Sequence, residues 1–149
     1  MPTPLKFTGL TLAQAERIVD TAIATARELR CEPVTVAVLD AAGQLKALKR
    51  EDGCPFIIVP VAQGKAWTVV ATGRPSGVFG EFIEKFPALG PAFTSASEGR
   101  FMPMPGGVLI ASQSGEVLGA VGVSGAMPED DVHCAQAGIR AAGLLPVPG

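Results

Sequence analysis

The chain has 149 residues, a formal net charge of −2 and a sequence pI near 5.4. This length fits one domain, and we expect residues 1–149 to form a single one. The weak negative charge gives no electrostatic reason for a nucleic acid or an anionic membrane as partner, and no stretch approaches the roughly 20 apolar residues that span a bilayer.

The low content of charged residues predicts self-association. Charged residues make up only 17% of the chain, against about 25% in typical globular domains. In a small domain so few charges leave apolar surface facing water, and contact with another copy buries that surface. We therefore predict a homo-oligomer. A monomer with an Ala- and Gly-rich surface is the alternative.

The cysteines and the first residues indicate the compartment. Cys31, Cys54 and Cys134 form no CxxC pair, and their odd number fits reduced thiols better than a disulfide framework. The first twelve residues lack the basic start and apolar run of a signal peptide. Both features predict a cytoplasmic protein.

The first predicted element is a helix that begins after Thr11. Thr11 and Gln14 have the spacing of a capping box, in which each side chain binds the backbone of the other residue. Apolar residues then recur at helical spacing through Ala26, which places one apolar stripe toward a core. Pro33 requires the helix to end by about Arg30.

A β-hairpin is predicted next. Residues 34–39 are a short β-branched run, and the segment Asp40-Ala41-Ala42-Gly43 that follows suits a type I turn with a left-handed glycine. Residues 44–50 then alternate between apolar and polar side chains. The pattern predicts two antiparallel strands.

The central part of the chain is predicted to be helical and then irregular. Residues 57–72 have a helical pattern, and Pro60 confines the helix proper to about residues 61–71. Ser76 has the position of an N-cap for a short helix through Lys85. Residues 87–105 are rich in Pro, Gly and Ser, so we expect a long loop that supplies apolar walls to a binding site.

A second hairpin and a last helix complete the predicted order. Residues 108–111 and 117–123 are apolar runs joined by a turn that ends in glycine. Pro128 and an acidic first turn predict a helix that ends at Gly143. Because no strand–helix–strand unit occurs, the sequence predicts an α+β fold in which an antiparallel sheet of two hairpins is flanked by N- and C-terminal helices.

The glycine-rich segment of residues 119–125 is a candidate binding turn. It lacks the spacing of a dinucleotide site, the ending of a P-loop and the last glycine of a nucleophile elbow. Free N–H groups in a turn before the last helix suit a carboxylate or a propionate. The acidic first turn of that helix would repel an anion, so a purely structural turn is the alternative.

Lys65 and His133 are the candidates for acid–base or ligand contacts. His133 is the only histidine, and Glu129 precedes it by four residues, a spacing at which a carboxylate orients an imidazole. A surface histidine is the alternative. A triad of Ser124, His133 and a carboxylate has weaker support, and no three residues have the spacing of a protein-built zinc site. Lys65 lies in an apolar helix, where it either snorkels to solvent or lines a pocket.

Several motifs resemble those of the GlcG/HbpS family. Three of them resemble the family's VxDxxG, RxDG and KA signatures, namely Asp40-Ala41-Ala42-Gly43, Arg50-Glu51-Asp52-Gly53 and Gly64-Lys65-Ala66. The resemblance continues through Gly106-Gly107, residues 119–125, Glu129-Asp130 and Ala137-Gly138, and it spans the chain from Leu12 to Gly143. The proline that usually follows the Gly-Gly pair is missing.

This resemblance implies a profilin-like antiparallel sheet, usually assembled into larger oligomers, and haem or another small ligand. It does not imply one activity. Because the chain has no tyrosine, His133, the cysteines and the methionines are the possible axial ligands of haem iron.

We therefore expect a protein that binds a small ligand, with haem as the candidate, in a pocket between subunits. The expected ligand contacts are Arg50, Asp52, Lys65, Gly106, Gly107, Gly122, Ser124, Gly125, Glu129 and His133. One alternative is a small lyase or isomerase of aromatic or hydroxy-acid catabolism, with Lys65, Glu129 or His133 as acid or base. Another is an accessory structural subunit.

Overall fold

The computed structural model describes residue 3 and residues 5–148. The helices are α1 (Leu12–Glu28), α2 (Ile58–Thr72), α3 (Val78–Lys85), α4 (Leu89–Ala96) and α5 (Pro128–Ala141). The strands are β1 (Thr35–Asp40), β2 (Leu45–Arg50), β3 (Gly107–Ala111), β4 (Val117–Ser124) and β5 (Leu145–Val147). Within these residues, no helix combines the length and the hydropathy that crossing a membrane requires.

The strands form one sheet in the order β2-β1-β4-β3-β5, and every neighbouring pair is antiparallel. The predicted hairpins are β1–β2 and β3–β4, and they join through the pairing of β1 with β4. In the first turn, the Asp40 carboxylate accepts hydrogen bonds from the backbone N–H groups of Ala42 and Gln44. Gly43 has a φ of 78°, the left-handed conformation that the sequence predicts. The predicted α+β class is confirmed.

Local sequence signals also fix the start of α1. The Thr11 hydroxyl accepts a hydrogen bond from the Gln14 N–H at 3.1 Å, and the Gln14 side chain accepts one from the Thr11 N–H at 3.0 Å. The capping box is therefore formed. The helix ends at Glu28, before the proline at position 33.

Helices cover both faces of the sheet. Helices α1 and α5 pack on one face, where the inward side chains of the strands are valine and isoleucine. Helix α2 packs on the other face, where Leu39, Leu109 and Ala120 meet Ala66 and Val69. On this second face Gly122 carries no side chain, and α2 lies close to the strand backbone there: an added Cβ at Gly122 would lie 2.0 Å from the Ala62 carbonyl oxygen.

Three predictions in the central part of the chain are wrong in detail. Residues 87–105 are not one loop, because α4 forms within them; Pro91 lies in the first helical turn, where its missing N–H costs no hydrogen bond. Ser76 caps no helix: its hydroxyl accepts the Gly107 N–H at 2.9 Å and donates to the Met104 carbonyl. Helix α2 begins at Ile58 rather than near 61, because its first turn accommodates Pro60.

Strand β5 was not predicted from the sequence. It contains Pro146 and lies at the edge of the sheet beside β3, a position that tolerates a residue without an N–H. A three-residue strand with a central proline carries too little pattern to be recognised before the sheet is known.

Candidate ligand-binding site

Lys65 lies in the interior of the protein rather than at its surface. Its side chain comes from α2 and is 2% exposed. The ammonium donates hydrogen bonds to the Asp131 carboxylate and to the Val123 carbonyl, each at 3.0 Å. The ammonium therefore does not snorkel to solvent, and its partner is a carboxylate of its own chain.

Burial shifts both pKa values of this pair toward the neutral forms. Loss of water lowers the pKa of Lys65 and raises the pKa of Asp131 to about 6. The attraction between the two groups opposes both shifts but does not cancel them. The second carboxylate oxygen of Asp131 accepts the Ala126 N–H at 3.1 Å. The pair therefore joins α2, the end of β4 and α5.

Gly106 leaves the space through which Lys65 reaches across the sheet. Its φ is 128°, and an added Cβ would lie 2.4 Å from the Val123 carbonyl oxygen and 2.9 Å from the Lys65 ammonium nitrogen. No side chain fits there while Lys65 keeps its position. The sequence singled out this glycine as a ligand contact, and the structure adds a packing reason for it.

The other three glycines of the predicted site also pack against the chain's own backbone. A Cβ at Gly107 would lie 2.4 Å from the Lys65 carbonyl oxygen, and one at Gly122 would lie 2.0 Å from that of Ala62. A Cβ at Gly125 would lie 2.5 Å from the Pro33 carbonyl oxygen. Close packing of the helix, strand and turn requires glycine at each position.

The turn after β4 holds a carboxylate, and that carboxylate belongs to Asp131. Asp131 lies in the first turn of α5 and accepts the N–H of Ala126, next to Gly125. Ser124 is buried at the end of β4. Free N–H groups at such a turn attract a carboxylate. In this chain the Asp131 side chain supplies that carboxylate.

The three candidate acid–base residues are not brought together. Glu129 and His133 are exposed on α5, whereas Lys65 is buried. Glu129 and His133 form no hydrogen bond or ion pair in the described chain. Arg50 donates to the Cys54 carbonyl at 2.8 Å, and it lines a separate cleft of about 440 Å³ together with Asp52.

A second cleft, which we name the Trp67 cleft, lies between α2 and the first hairpin. Its volume is about 330 Å³, within the range of sites for small molecules. Apolar side chains from β1, β2 and α2 form its wall, and residues 98–100 close one side. The lining residues are Leu39, Gly43, Gln44, Leu45, Pro60, Gln63, Gly64, Trp67, Glu98, Gly99 and Arg100.

Arg100 and Trp67 are the functional candidates that the sequence analysis missed. The guanidinium of Arg100 lies over the Trp67 ring, 4.7 Å from its centroid, at the distance of a cation–π contact. Arg100 forms no ion pair with a residue that the structure describes. One signal was present in the sequence: Arg100 is the only Lys or Arg between Lys85 and Arg140, within a segment otherwise rich in Pro, Gly and Ser.

The residues of one subunit do not by themselves fit haem. Haem needs an iron ligand as well as apolar walls, and among the described residues no histidine, cysteine or methionine lines the Trp67 cleft. A third cleft, of about 300 Å³, contains Cys31 and Met127, and its charged lining residues are Arg30, Glu32 and Asp130. Burial and Asp130 raise the pKa of the Cys31 thiol, which disfavours the thiolate that would bind iron.

His133 and the acidic residues provide no alternative metal centre. His133 is exposed on α5, and it lines neither the Trp67 cleft nor the cleft beside Arg50. Over residue 3 and residues 5–148, no group of three His, Cys, Asp or Glu side chains has an arrangement that could hold a metal ion.

The fold defines a class: small α+β domains with an antiparallel sheet and helices on both faces. Residues 10–140 match the family described as haem degrading protein HbpS-like, and the chain belongs to this family. The predicted GlcG/HbpS membership is confirmed. No curated protein sequence matches the chain.

Solved structures share the fold along nearly the whole chain. PduOC in complex with haem has 24% identity and a TM-score of 0.79, and the match covers 92% of this chain and 97% of PduOC. Protein ORFY of Klebsiella pneumoniae has 22% identity and a TM-score of 0.82, with coverage of 96% and 97%. A double mutant of Streptomyces reticuli HbpS has 26% identity and a TM-score of 0.75, with coverage of 92% and 89%.

Proposed function

We propose that the chain binds a small planar ligand in the Trp67 cleft, at a contact between two copies of the chain, and that haem is the ligand to test first. The observation that carries the proposal is the cleft itself, which combines an apolar wall, an indole ring and a guanidinium. Membership of the HbpS-like family and the haem-bound relative PduOC support haem as the candidate.

Exposed apolar side chains at the edge of the cleft support a shared site. Leu45 lines the cleft and is 53% exposed, and it belongs to β2, an edge strand of the sheet. Phe56 and Ile57 are also exposed, within four residues of Pro60 in the cleft wall. Exposed apolar side chains on an edge strand favour contact with another chain.

If haem is the ligand, its iron needs a partner from outside the described lining of the Trp67 cleft. The described lining of the cleft supplies an apolar wall and a guanidinium, so an axial ligand for haem would have to come from a second copy or from solvent. A site that is incomplete in one subunit makes ligand binding depend on assembly. This dependence is the property that the experiment measures.

The test combines a haem titration, followed at the Soret band, with light scattering. We expect the wild-type chain to be an oligomer and to give a saturable band at micromolar haem. Leu45→Glu should lose the oligomer and the band together, because a charge at the edge of the cleft opposes a dry contact. Val117→Glu is the matched control, since Val117 is 52% exposed on β4 and lies outside the cleft.

Two results would overturn the proposal. A wild-type titration without a saturable band removes haem as the ligand. A Leu45→Glu variant that is monomeric and binds haem as well as the wild type removes the shared site. Val117→Glu must retain both properties for the second comparison to be interpretable, and circular dichroism verifies that each variant is folded.

A further inference from the structure

We infer that Arg100 binds a carboxylate of the ligand, so that the Trp67 cleft selects planar conjugated acids over their neutral esters. The inference rests on the proposed function because it concerns the same cleft. It adds a class of ligand and a residue that determines specificity. The evidence is the position of the guanidinium, the way in which the chain fixes it, and the charges around it.

The Arg100 guanidinium has hydrogen-bond donors that no described residue uses. Arg100 uses its Nε to donate to the Ser97 carbonyl at 2.9 Å, and its two Nη atoms bind no acceptor among the described residues. A guanidinium that is anchored through Nε presents the Nη pair as a planar fork, the geometry that matches a carboxylate.

The end of α4 holds Arg100 in place. Glu98 and Gly99 have φ values of 56° and 82°, so the chain reverses direction directly before Arg100. The Gly99 N–H donates to the Thr94 carbonyl at 2.8 Å, and the buried Ser97 hydroxyl accepts the Phe101 N–H at 2.9 Å. These bonds fix the backbone on both sides of Arg100, so less backbone freedom is lost when a ligand binds.

Aromatic packing anchors Phe101, the residue that follows Arg100. Phe101 is buried and contacts Phe79 and Phe93, with ring centroids 5.5 and 5.2 Å away. Edge-to-face contacts of this kind stabilise one arrangement of the rings. The segment that carries Arg100 is therefore tied to both α3 and α4.

The surroundings of the guanidinium suit different parts of a ligand at different places in the cleft. Trp67 covers one face of the guanidinium, while Leu39, Leu45 and Pro60 form an apolar wall for a ring. A ring on this wall places an acidic edge toward Arg100. Glu98 also lines the cleft and repels additional negative charge, so the cleft favours one inward carboxylate over several.

The experiment uses Trp67 as its own reporter, because it is the only tryptophan of the chain. Quenching of its fluorescence is titrated with protoporphyrin IX and with the dimethyl ester of protoporphyrin IX. We expect the wild-type chain to bind the free acid at least about tenfold more tightly than the ester, the effect of one charge-assisted pair of hydrogen bonds. In Arg100→Gln the two affinities should become equal, because the affinity for the acid falls.

Arg17→Gln is the matched control. It removes the same charge from an exposed position on α1, which packs on the opposite face of the sheet from α2, so the preference for the acid should persist. Glu98→Gln should increase the affinity for the acid, since it removes a repelling charge from the cleft.

The outcomes separate this inference from the proposed function. Equal affinity of the wild type for acid and ester overturns the role of Arg100 and leaves ligand binding in place. A preference for the acid that survives in Arg100→Gln assigns the carboxylate contact to another residue and also overturns the inference. Absence of quenching by either compound overturns both the inference and the proposed binding of porphyrins.

Discussion

The two faces of the sheet are packed in opposite ways. Toward α1 and α5 the strands present large branched side chains, all buried: Val36, Val38, Val108, Ile110, Val121 and Val123. Toward α2 the central strands present the small residues Ala37, Ala120 and Gly122 beside Leu39 and Leu109. On the first face, branched side chains occupy the space between the sheet and its helices. On the second face, α2 packs close to the strand backbone.

Because of this difference, the two faces contribute differently to folding and to the candidate site. Branched side chains bury a large apolar area and contribute most to the free energy of folding. Close backbone contact contributes less area but fixes the height of α2 above the sheet. Because Lys65 and Trp67 both belong to α2, the second face positions the candidate site.

The Lys65–Asp131 ion pair connects α2 with α5, which pack on opposite faces of the sheet. Asp131→Ala should leave the Lys65 ammonium buried with the Val123 carbonyl as its remaining protein partner. Breaking a buried pair in this way costs about 3–5 kcal/mol of unfolding free energy. Urea denaturation measures this loss, and we expect it to be the largest effect of any substitution considered for this chain.

A double variant distinguishes charge burial from simple loss of volume. Lys65→Met combined with Asp131→Leu removes both charges and keeps apolar volume, so most of the stability lost in Asp131→Ala should return. If the double variant is as unstable as the single one, the cost is due to packing rather than to an unpaired charge.

The pH dependence of stability gives a second measurement of the same pair. Burial raises the pKa of Asp131 from 3.8 to about 6, so between these values the folded chain retains a proton that the unfolded chain releases. The contribution of Asp131 to the unfolding free energy therefore grows as pH falls from about 6 to about 4, and it is lost as pH rises through about 6. The change should not exceed about 3 kcal/mol.

The reference for this measurement is Asp131→Asn, which lacks the titrating group. The difference in unfolding free energy between wild type and variant should widen in favour of the wild type as the pH decreases. A constant or shrinking difference would show that Asp131 is not desolvated in the folded protein.

The sequence predicted elements whose signals are local. The capping box at Thr11, the turn at residues 40–43 and Pro128 at the start of α5 each depend on residues a few positions apart. Helix α4 was missed because its Gly90 and Pro91 are typical of loops. Its apolar residues become helical through contacts with α3, such as that of Phe93 with Phe79.

The candidate site could not be predicted in the same way because its parts are distant in sequence. Lys65 and Asp131 are 66 residues apart, and the Trp67 cleft combines the first hairpin, α2 and residues 98–100. Spacing along the chain carries no information about these contacts. The glycines were recognised as unusual, but only the fold shows that backbone atoms approach them.

A third prediction tests the tightly packed face. Gly122→Ala should lower the unfolding free energy by about 1–3 kcal/mol, because the new methyl group meets the Ala62 carbonyl and α2 must move away. Movement of α2 should also change the fluorescence of Trp67. Gly80→Ala is the control: its Cβ meets only the Pro103 carbonyl oxygen at 3.7 Å, so stability should stay the same or rise slightly.

The smallest expected effect tests the opposite face. Ile110→Val removes one methyl group from the side that packs against α1 and α5, and it should cost about 0.5–1.5 kcal/mol in thermal or urea denaturation. Because α2 does not rest on this side chain, the fluorescence of Trp67 and the affinity for a porphyrin acid should remain at wild-type values. A fluorescence change as large as that of Gly122→Ala would mean that the two faces are coupled and do not act independently.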